Sequence, residues 1–363
     1  MSPRPLFRPS VIVGIIYVVL LLLFVLLKGY EMIDFVHMGT VWGQGDPNGT
    51  WGYDGQFFYQ IAKHPLRAAP FLDNAPFRYQ RTLYPLVARL LSGGNLHLIP
   101  YALLFVNWLA IVLGVEFLAQ LLKMNQLTPW FSVAYGLYFG LATAFTFDTT
   151  EPFTYGWVCL GLWLFSRQQR TLSALVLGIA AFSRETAVLF PLGYIIFFLI
   201  KRQWHDLFRF ALLGVLPLAV WLVILARLFG ETGLTFTPPF ETVPFYGIFF
   251  HANAPRKFWL LVLLMLIPTG LAGVLALKHW WRQDLHPLLF AWLANIAMIT
   301  FLSHYSYMEL ISSGRVATGV VLAWLAYGAI LRSKTLLVVA QIYTCTFPIY
   351  LIGVFLEIRS FLF

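Results

Sequence analysis

Apolar runs close to the length of a membrane-crossing helix recur from Val11 to the C-terminal end of this chain, and that recurrence limits what it can fold into. Crossing roughly 30 Å of hydrocarbon takes about 20 helical residues at about 1.5 Å each. Bounded by charged or Pro/Gly-containing connectors, the runs predict spans near 11–28, 97–122, 129–147, 150–166, 171–183, 185–200, 207–228, 258–277, 285–303, 315–331 and 335–356. Composition agrees, because 60% hydrophobic and 11% charged residues lie outside the soluble range of about 45–50% and about 25%. The expectation is all-α: a polytopic transmembrane helical bundle of about 11 spans, forming one membrane domain over residues 1–363. Val11 to Leu27 follows Arg4 and Arg8 as a signal peptide would, but Lys28-Gly29-Tyr30-Glu31 offers no small-residue cleavage site, so it reads as an uncleaved first span.

The net charge of +9 is spread over short connectors and forms no basic stripe, which argues against nucleic acid and for topology. With the N-terminus cytoplasmic, the inner connectors hold twelve Lys and Arg against Asp206 and Asp284, and the outer segments hold twelve of each sign. The stretch 171–200 reads as two short passes broken at Ser183-Arg184-Glu185, since one long helix would move Lys201, Arg202 and Arg209 to the outer side. Cys159 and Cys345 both fall in apolar segments and suggest neither disulfide nor metal site. His251 and His304 lack metal-ligand spacing. No cofactor is expected, and a divalent-metal requirement is left open.

The outer side carries the chemistry. The first outer loop, 29–95, holds Tyr53-Asp54-Gly55-Gln56 with Tyr59, then Arg78-Tyr79-Gln80-Arg81 leading into Tyr84-Pro85. Its two amphipathic patterns, Phe57, Phe58 and Ile61 and then Leu86, Val87, Leu90 and Leu91, predict helices lying in the membrane interface. Further along come Asp148-Thr149-Thr150-Glu151, Ser183-Arg184-Glu185, and a looser group of His304, Tyr305, Tyr307, Glu309 and Arg315. A second outer loop, 229–257, is long enough to form a lid. The first piece of 171–200, about a dozen residues, covers only ~18 Å, so Arg184 and Glu185 are expected below the outer surface, where polar residues mark a functional site by default. Transfer of a sugar from a lipid phosphate uses these parts: a carboxylate to take the acceptor proton, and guanidinium forks to hold the phosphate leaving group. Each residue also has a plainer role: Asp54 as a helix N-cap, Arg78 and Arg81 as anchors among lipid headgroups, Arg184 and Glu185 as structural residues paired with other charges in the bundle, and Asp148 and Glu151 as helix starters.

Tyr53-Asp54-Gly55-Gln56-Phe57-Phe58-Tyr59-Gln60-Ile61-Ala62 resembles the motif that opens the first luminal loop of the GPI mannosyltransferase II family, within the GT-C superfamily of membrane glycosyltransferases. Thr82-Leu83-Tyr84-Pro85-Leu86, Thr149-Thr150-Glu151 and Ser183-Arg184-Glu185-Thr186 are similar to later motifs of that family. Asp-Gly-Gln-Phe and Arg-Tyr-Gln-Arg also resemble prokaryotic relatives assigned to cell-surface glycopolymers. Tyr53 stands where Trp is usual, and Arg78-Tyr79-Gln80-Arg81 is more basic than the eukaryotic pattern. The resemblance covers roughly residues 50–200, the last 160 residues adding only hydrophobicity. It implies an inverting transferase in a prokaryotic plasma membrane, acting on the non-cytoplasmic face. A hexose such as mannose would pass from a polyprenyl-phosphate donor to a lipid-linked or surface glycan. Asp54, Glu151 and Asp148 would be catalytic, with Arg184, Arg81, Arg78, Gln56, Tyr59, Tyr84, Glu185, Arg315 and His304 binding substrate. The alternatives are a flippase for polyprenyl-linked glycans and a noncatalytic envelope-assembly protein.

Overall fold

The computed structural model describes residues 8–357, so Arg4 lies outside it. No strand occurs among the described residues. In chain order the principal helices are α1 (Pro9–Lys28), α2 (Gly55–Lys63), α3 (Ala75–Tyr79), α4 (Leu83–Leu91), α5 (Ile99–Met124), α6 (Phe139–Thr146) and α7 (Glu151–Ser166). After them come α8 (Arg170–Ala181), α9 (Leu189–Ile200), α10 (Trp204–Phe229), α11 (Pro255–Trp281), α12 (Pro287–Thr300), α13 (Leu310–Ile330) and α14 (Lys334–Phe355).

Six of these, α1, α5, α10, α11, α13 and α14, are long and apolar enough to cross a membrane. α8, α12 and the stretch Glu185–Ile200 are apolar but shorter. On α10, Leu212, Leu216, Val220 and Val223 are all exposed, a stripe that a soluble protein would have to cover and that hydrocarbon covers at no cost. The central helix is α13, buried from Thr318 to Ala329 and packed on α12, α5 and α7.

The stretch 129–147 does not form one continuous span. It divides into a 3₁₀ turn at Pro129–Ser132, a short helix Val133–Gly136 and α6. Two contacts explain the break. Gly136 fits where a Cβ would lie 2.7 Å from Val115 and 2.8 Å from Val13, and the extended Tyr138 donates its hydroxyl to the Gly314 carbonyl at 2.9 Å. The stretch 171–200 is interrupted as the charges suggested, with α8 ending at Ala181 and a 3₁₀ turn at Glu185–Val188.

Within 29–95, α2 buries Phe57, Phe58, Ile61 and Ala62, and α4 buries Tyr84, Pro85 and Ala88. Leu86, Leu90 and Leu91 remain exposed on the other side of α4. Phe58, Ala62, Tyr84 and Ala88 join Leu103, Val106 and Phe153, fastening both short helices to α5 and α7. Gly55 allows the start of α2 to sit on the turn before α7, because a Cβ there would lie 2.5 Å from the Phe147 carbonyl.

Candidate functional site

α2 begins at Asp54, yet the Asp54 side chain makes no cap hydrogen bond. Its carboxylate is used elsewhere: Oδ1 lies 2.9 Å from Arg78 Nη2 and Oδ2 lies 2.9 Å from Arg315 Nη2. The N-cap reading therefore does not account for this residue. Arg78 reaches Asp54 because α3 is started firmly, Asn74 accepting from the Phe77 amide at 2.9 Å and Pro76 occupying the first turn. Asp73 then grips Arg78 from the other side with a two-point bridge, 2.7 Å to Nε and 2.6 Å to Nη2.

The charges continue inward. Arg315 Nε lies 3.6 Å from Glu151 Oε1, and the same oxygen accepts from Arg184 Nη1 at 2.5 Å. Asp73, Arg78, Asp54, Arg315, Glu151 and Arg184 thus alternate in sign along one chain. Beside it Arg81 forms a two-point bridge to Glu185, 2.8 Å and 2.6 Å. Arg78 and Arg81 are 5% exposed and pair with carboxylates of the protein, which sets aside a role as headgroup anchors. Aromatic faces complete their seats: the Arg78 guanidinium lies 4.2 Å from the Phe57 ring centroid, and Arg81 lies 4.4 Å from that of Phe77.

A cavity of about 380 Å³ opens onto this chain, lined by Asp54, Asp73, Arg78, Glu309 and Arg315 among aromatic residues. Trp42, Trp51, Tyr53, Phe57 and Phe236 supply its apolar walls. Burial pushes the Asp54 carboxyl up, but Arg78 and Arg315 outweigh it and hold the group well below the usual carboxylate range. Glu309 has the opposite balance. Burial raises its pKa above the ordinary glutamate value, and Arg315, Tyr53 and Lys257 offset this only in part while Asp54 adds to it. Several buried donors have no hydrogen-bond partner: Arg78 Nη1, Arg184 Nε, and Nε and Nη1 of Arg315. A buried N–H left unpaired costs about 1–3 kcal/mol, more when charged, so the guanidinium groups of Arg78 and Arg315, which line the cavity, suit an anion.

A second, larger cavity of about 610 Å³ is mostly apolar, with Leu189, Leu218, Leu222, Met298 and Phe301 in its wall and Glu185, Thr186 and Glu241 as its polar lining residues. The segment after α10 contributes to both cavities, Phe236 to the first and Leu234 and Phe240 to the second. Gln80 donates to the Thr232 carbonyl at 2.8 Å, and Asn74 donates to Glu231 at 3.0 Å. Gly233 adopts φ +76° against α3, where a Cβ would lie 2.3 Å from the Phe77 nitrogen.

Of the residues expected at the site, Asp54, Arg78 and Arg315 line the polar cavity together, with Gln56 in its wall. Gln56 is committed to loop structure, accepting from Gly39 N at 3.0 Å and donating to the Trp51 carbonyl at 2.7 Å. Glu151 and Arg184 stand behind as the inner end of the charge chain, and Arg81 and Glu185 lie toward the apolar cavity. Asp148 and Tyr84 are fully buried and bonded to each other at 2.6 Å, away from the cavity lining. Tyr59 packs with the α2 and α4 core. His304 is held by Glu241 at 2.7 Å in the second long loop and lines neither cavity. Sequence reasoning missed Asp73, Trp42, Trp51 and Phe236; only Asp73 carries a local signal, standing before the Asn74-Ala75-Pro76 helix start. No family model, characterised protein or solved structure matches this chain.

Proposed function

We propose that this chain is an inverting membrane glycosyltransferase moving a hexose from a polyprenyl-phosphate donor to a lipid-linked or surface glycan. The reading rests on one observation: Asp54 lies between Arg78 and Arg315 at a cavity that also holds Glu309 and aromatic walls. Guanidinium groups with unspent donors suit the phosphate, and the apolar cavity beyond Arg81 and Glu185 suits the first isoprene units of the lipid. Aromatic faces beside carboxylates suit a sugar ring, which is apolar on its C–H faces and polar at its edge.

In direct displacement the acceptor oxygen attacks C1 from the face opposite the phosphate, so the anomeric configuration inverts. The acceptor proton passes to a cavity carboxylate, and polyprenyl phosphate departs under the arginines. The motif resemblance to GPI mannosyltransferase II supports the same chemistry and makes mannose the first sugar to try. It also implies a reaction at the non-cytoplasmic face.

The purified chain, offered a panel of polyprenyl-phosphate hexoses in lipid nanodiscs, is expected to transfer one of them with inversion. Asp54→Asn is expected to lower transfer at least ~100-fold while the donor still raises the melting temperature. Full turnover by that variant would refute the role of Asp54, and a panel without transfer or stabilisation would refute the reading as a whole.

A further inference from the structure

Three carboxylates line the polar cavity, and they are not equivalent. Asp73 makes a two-point bridge to Arg78, and Asp54 is shared between Arg78 and Arg315. Glu309 has no arginine or lysine nitrogen within ion-pair distance among the described residues, although it stands at the N-terminus of the helix that carries Arg315. A carboxylate already neutralised by two guanidinium groups is a weak proton acceptor, because each positive neighbour favours the ionised form and lowers its basicity.

We infer that Glu309 is a catalytic residue of this cavity, the carboxylate that takes the acceptor proton, while Asp54 holds Arg78 and Arg315 in position for the phosphate. This inference rests on the glycosyl-transfer reading. In the step, the acceptor oxygen bonds to C1 as the bond from C1 to the phosphate oxygen breaks. The acceptor proton moves to a Glu309 carboxylate oxygen, and the electron pair of the broken bond leaves on polyprenyl phosphate.

The division of labour follows a general pattern in which two carboxyl groups at one site are driven apart in pKa and take different tasks. Here the arginines lower Asp54 and burial raises Glu309. The charged and titratable neighbours of Glu309 come from three elements: Tyr53 and Asp54 from the segment before α2, Arg315 from α13, and Lys257 from α11. Lys257 is itself tied to the Met308 carbonyl.

A base acts only when deprotonated, so transfer should rise with pH through the Glu309 pKa, which lies above the ordinary glutamate value of about 4.3. The test is the pH profile of kcat for wild type, Glu309→Gln, Glu309→Asp and Glu309→Ala in nanodiscs, with donor Kd measured in parallel. Glu309→Gln is expected to lower kcat by roughly 10²–10⁴-fold, to leave donor Kd within a few-fold at low pH, and to lose the acid limb. Added formate is expected to restore part of the rate to Glu309→Ala, which a merely structural side chain would not permit. If Glu309→Gln does not fold, Glu309→Asp carries the test through a displaced acid limb. Wild-type transfer together with an unmoved limb in these variants overturns the assignment and leaves the transferase reading standing. Absence of wild-type transfer with every donor overturns both.

Discussion

Asp148 occupies φ 49°, a left-handed backbone that Asp and Asn tolerate better than most residues. One carboxylate oxygen accepts from Tyr84 at 2.6 Å and lies 3.4 Å from the Asn107 amide, and the other has no hydrogen-bond partner. Burial pushes its pKa up to about 8, against the pull of Tyr84 and Asn107. For a buried acid the sign runs opposite to that of a salt-bridged one. Folding is favoured most below about pH 3.9, where both states are protonated, and loses stability as pH rises toward 8 because only the unfolded chain gives up its proton. Asp148→Asn keeps the acceptor for Tyr84, suits the backbone and removes the titration. Its melting temperature relative to wild type is therefore expected to climb between pH 5 and 8 and then level off. A difference independent of pH across that range would count against an uncharged Asp148. The residue itself was visible in the sequence as an acid near a helix start, but its partner Asn107 was not. A lone Asn inside an apolar run gives no sign of what it faces. The same holds for Asp54 and Arg315, whose hydrogen bond joins positions 261 residues apart.

At the scale of elements, the break between α8 and α9 was legible because Ser183-Arg184-Glu185 interrupts an apolar run with charges that hydrocarbon does not accept. Its purpose was not legible, since Arg184 and Glu185 turn to different partners, Glu151 on α7 and Arg81 beyond α3. The interruption of 129–147 was missed for a related reason. Hydropathy registers Val and Gly as apolar and cannot tell that Gly136 lies against Val13 and Val115. Glu151 is the hinge of the buried charges, fully enclosed and placed between Arg184 and Arg315. Glu151→Gln leaves the buried Arg184 without its carboxylate and leaves Arg315 with Asp54 alone, and is expected to destabilise the fold by about 3–5 kcal/mol. Removing Arg184 as well, in Glu151→Gln with Arg184→Met, should recover part of that loss, as denaturation of the four chains in a double-mutant cycle would show. Additive losses would mean that the two side chains do not stabilise each other.

Across the whole molecule, the four arginines of the site come from distant stretches: Arg78 and Arg81 from the first long segment, Arg184 from the α8–α9 break and Arg315 from α13. The last third of the chain, which added only hydrophobicity to the motif resemblance but held the looser group of polar residues, supplies both Arg315 and Glu309 to the cavity. Such a convergence is invisible to any local pattern. The balance of the assembled site has a consequence for binding. Arg78, Arg81, Arg184, Arg315 and Lys257 stand against five carboxylates, Asp54, Asp73, Glu151, Glu185 and Glu309, so the site is balanced when Glu309 is ionised. A phosphate-bearing ligand then brings one negative charge in excess, which is costly in a poorly solvated site. Donor binding should therefore be coupled to proton uptake by Glu309. A polyprenyl-phosphate sugar is a phosphodiester whose own charge does not change near neutral pH, so any slope belongs to the protein. Its Kd for wild type is expected to rise with pH above the Glu309 pKa, approaching tenfold per pH unit, and to stay level for Glu309→Gln at the low-pH wild-type value. A flat wild-type curve, or an equal slope in the variant, would mean that Glu309 keeps its proton state when the donor binds.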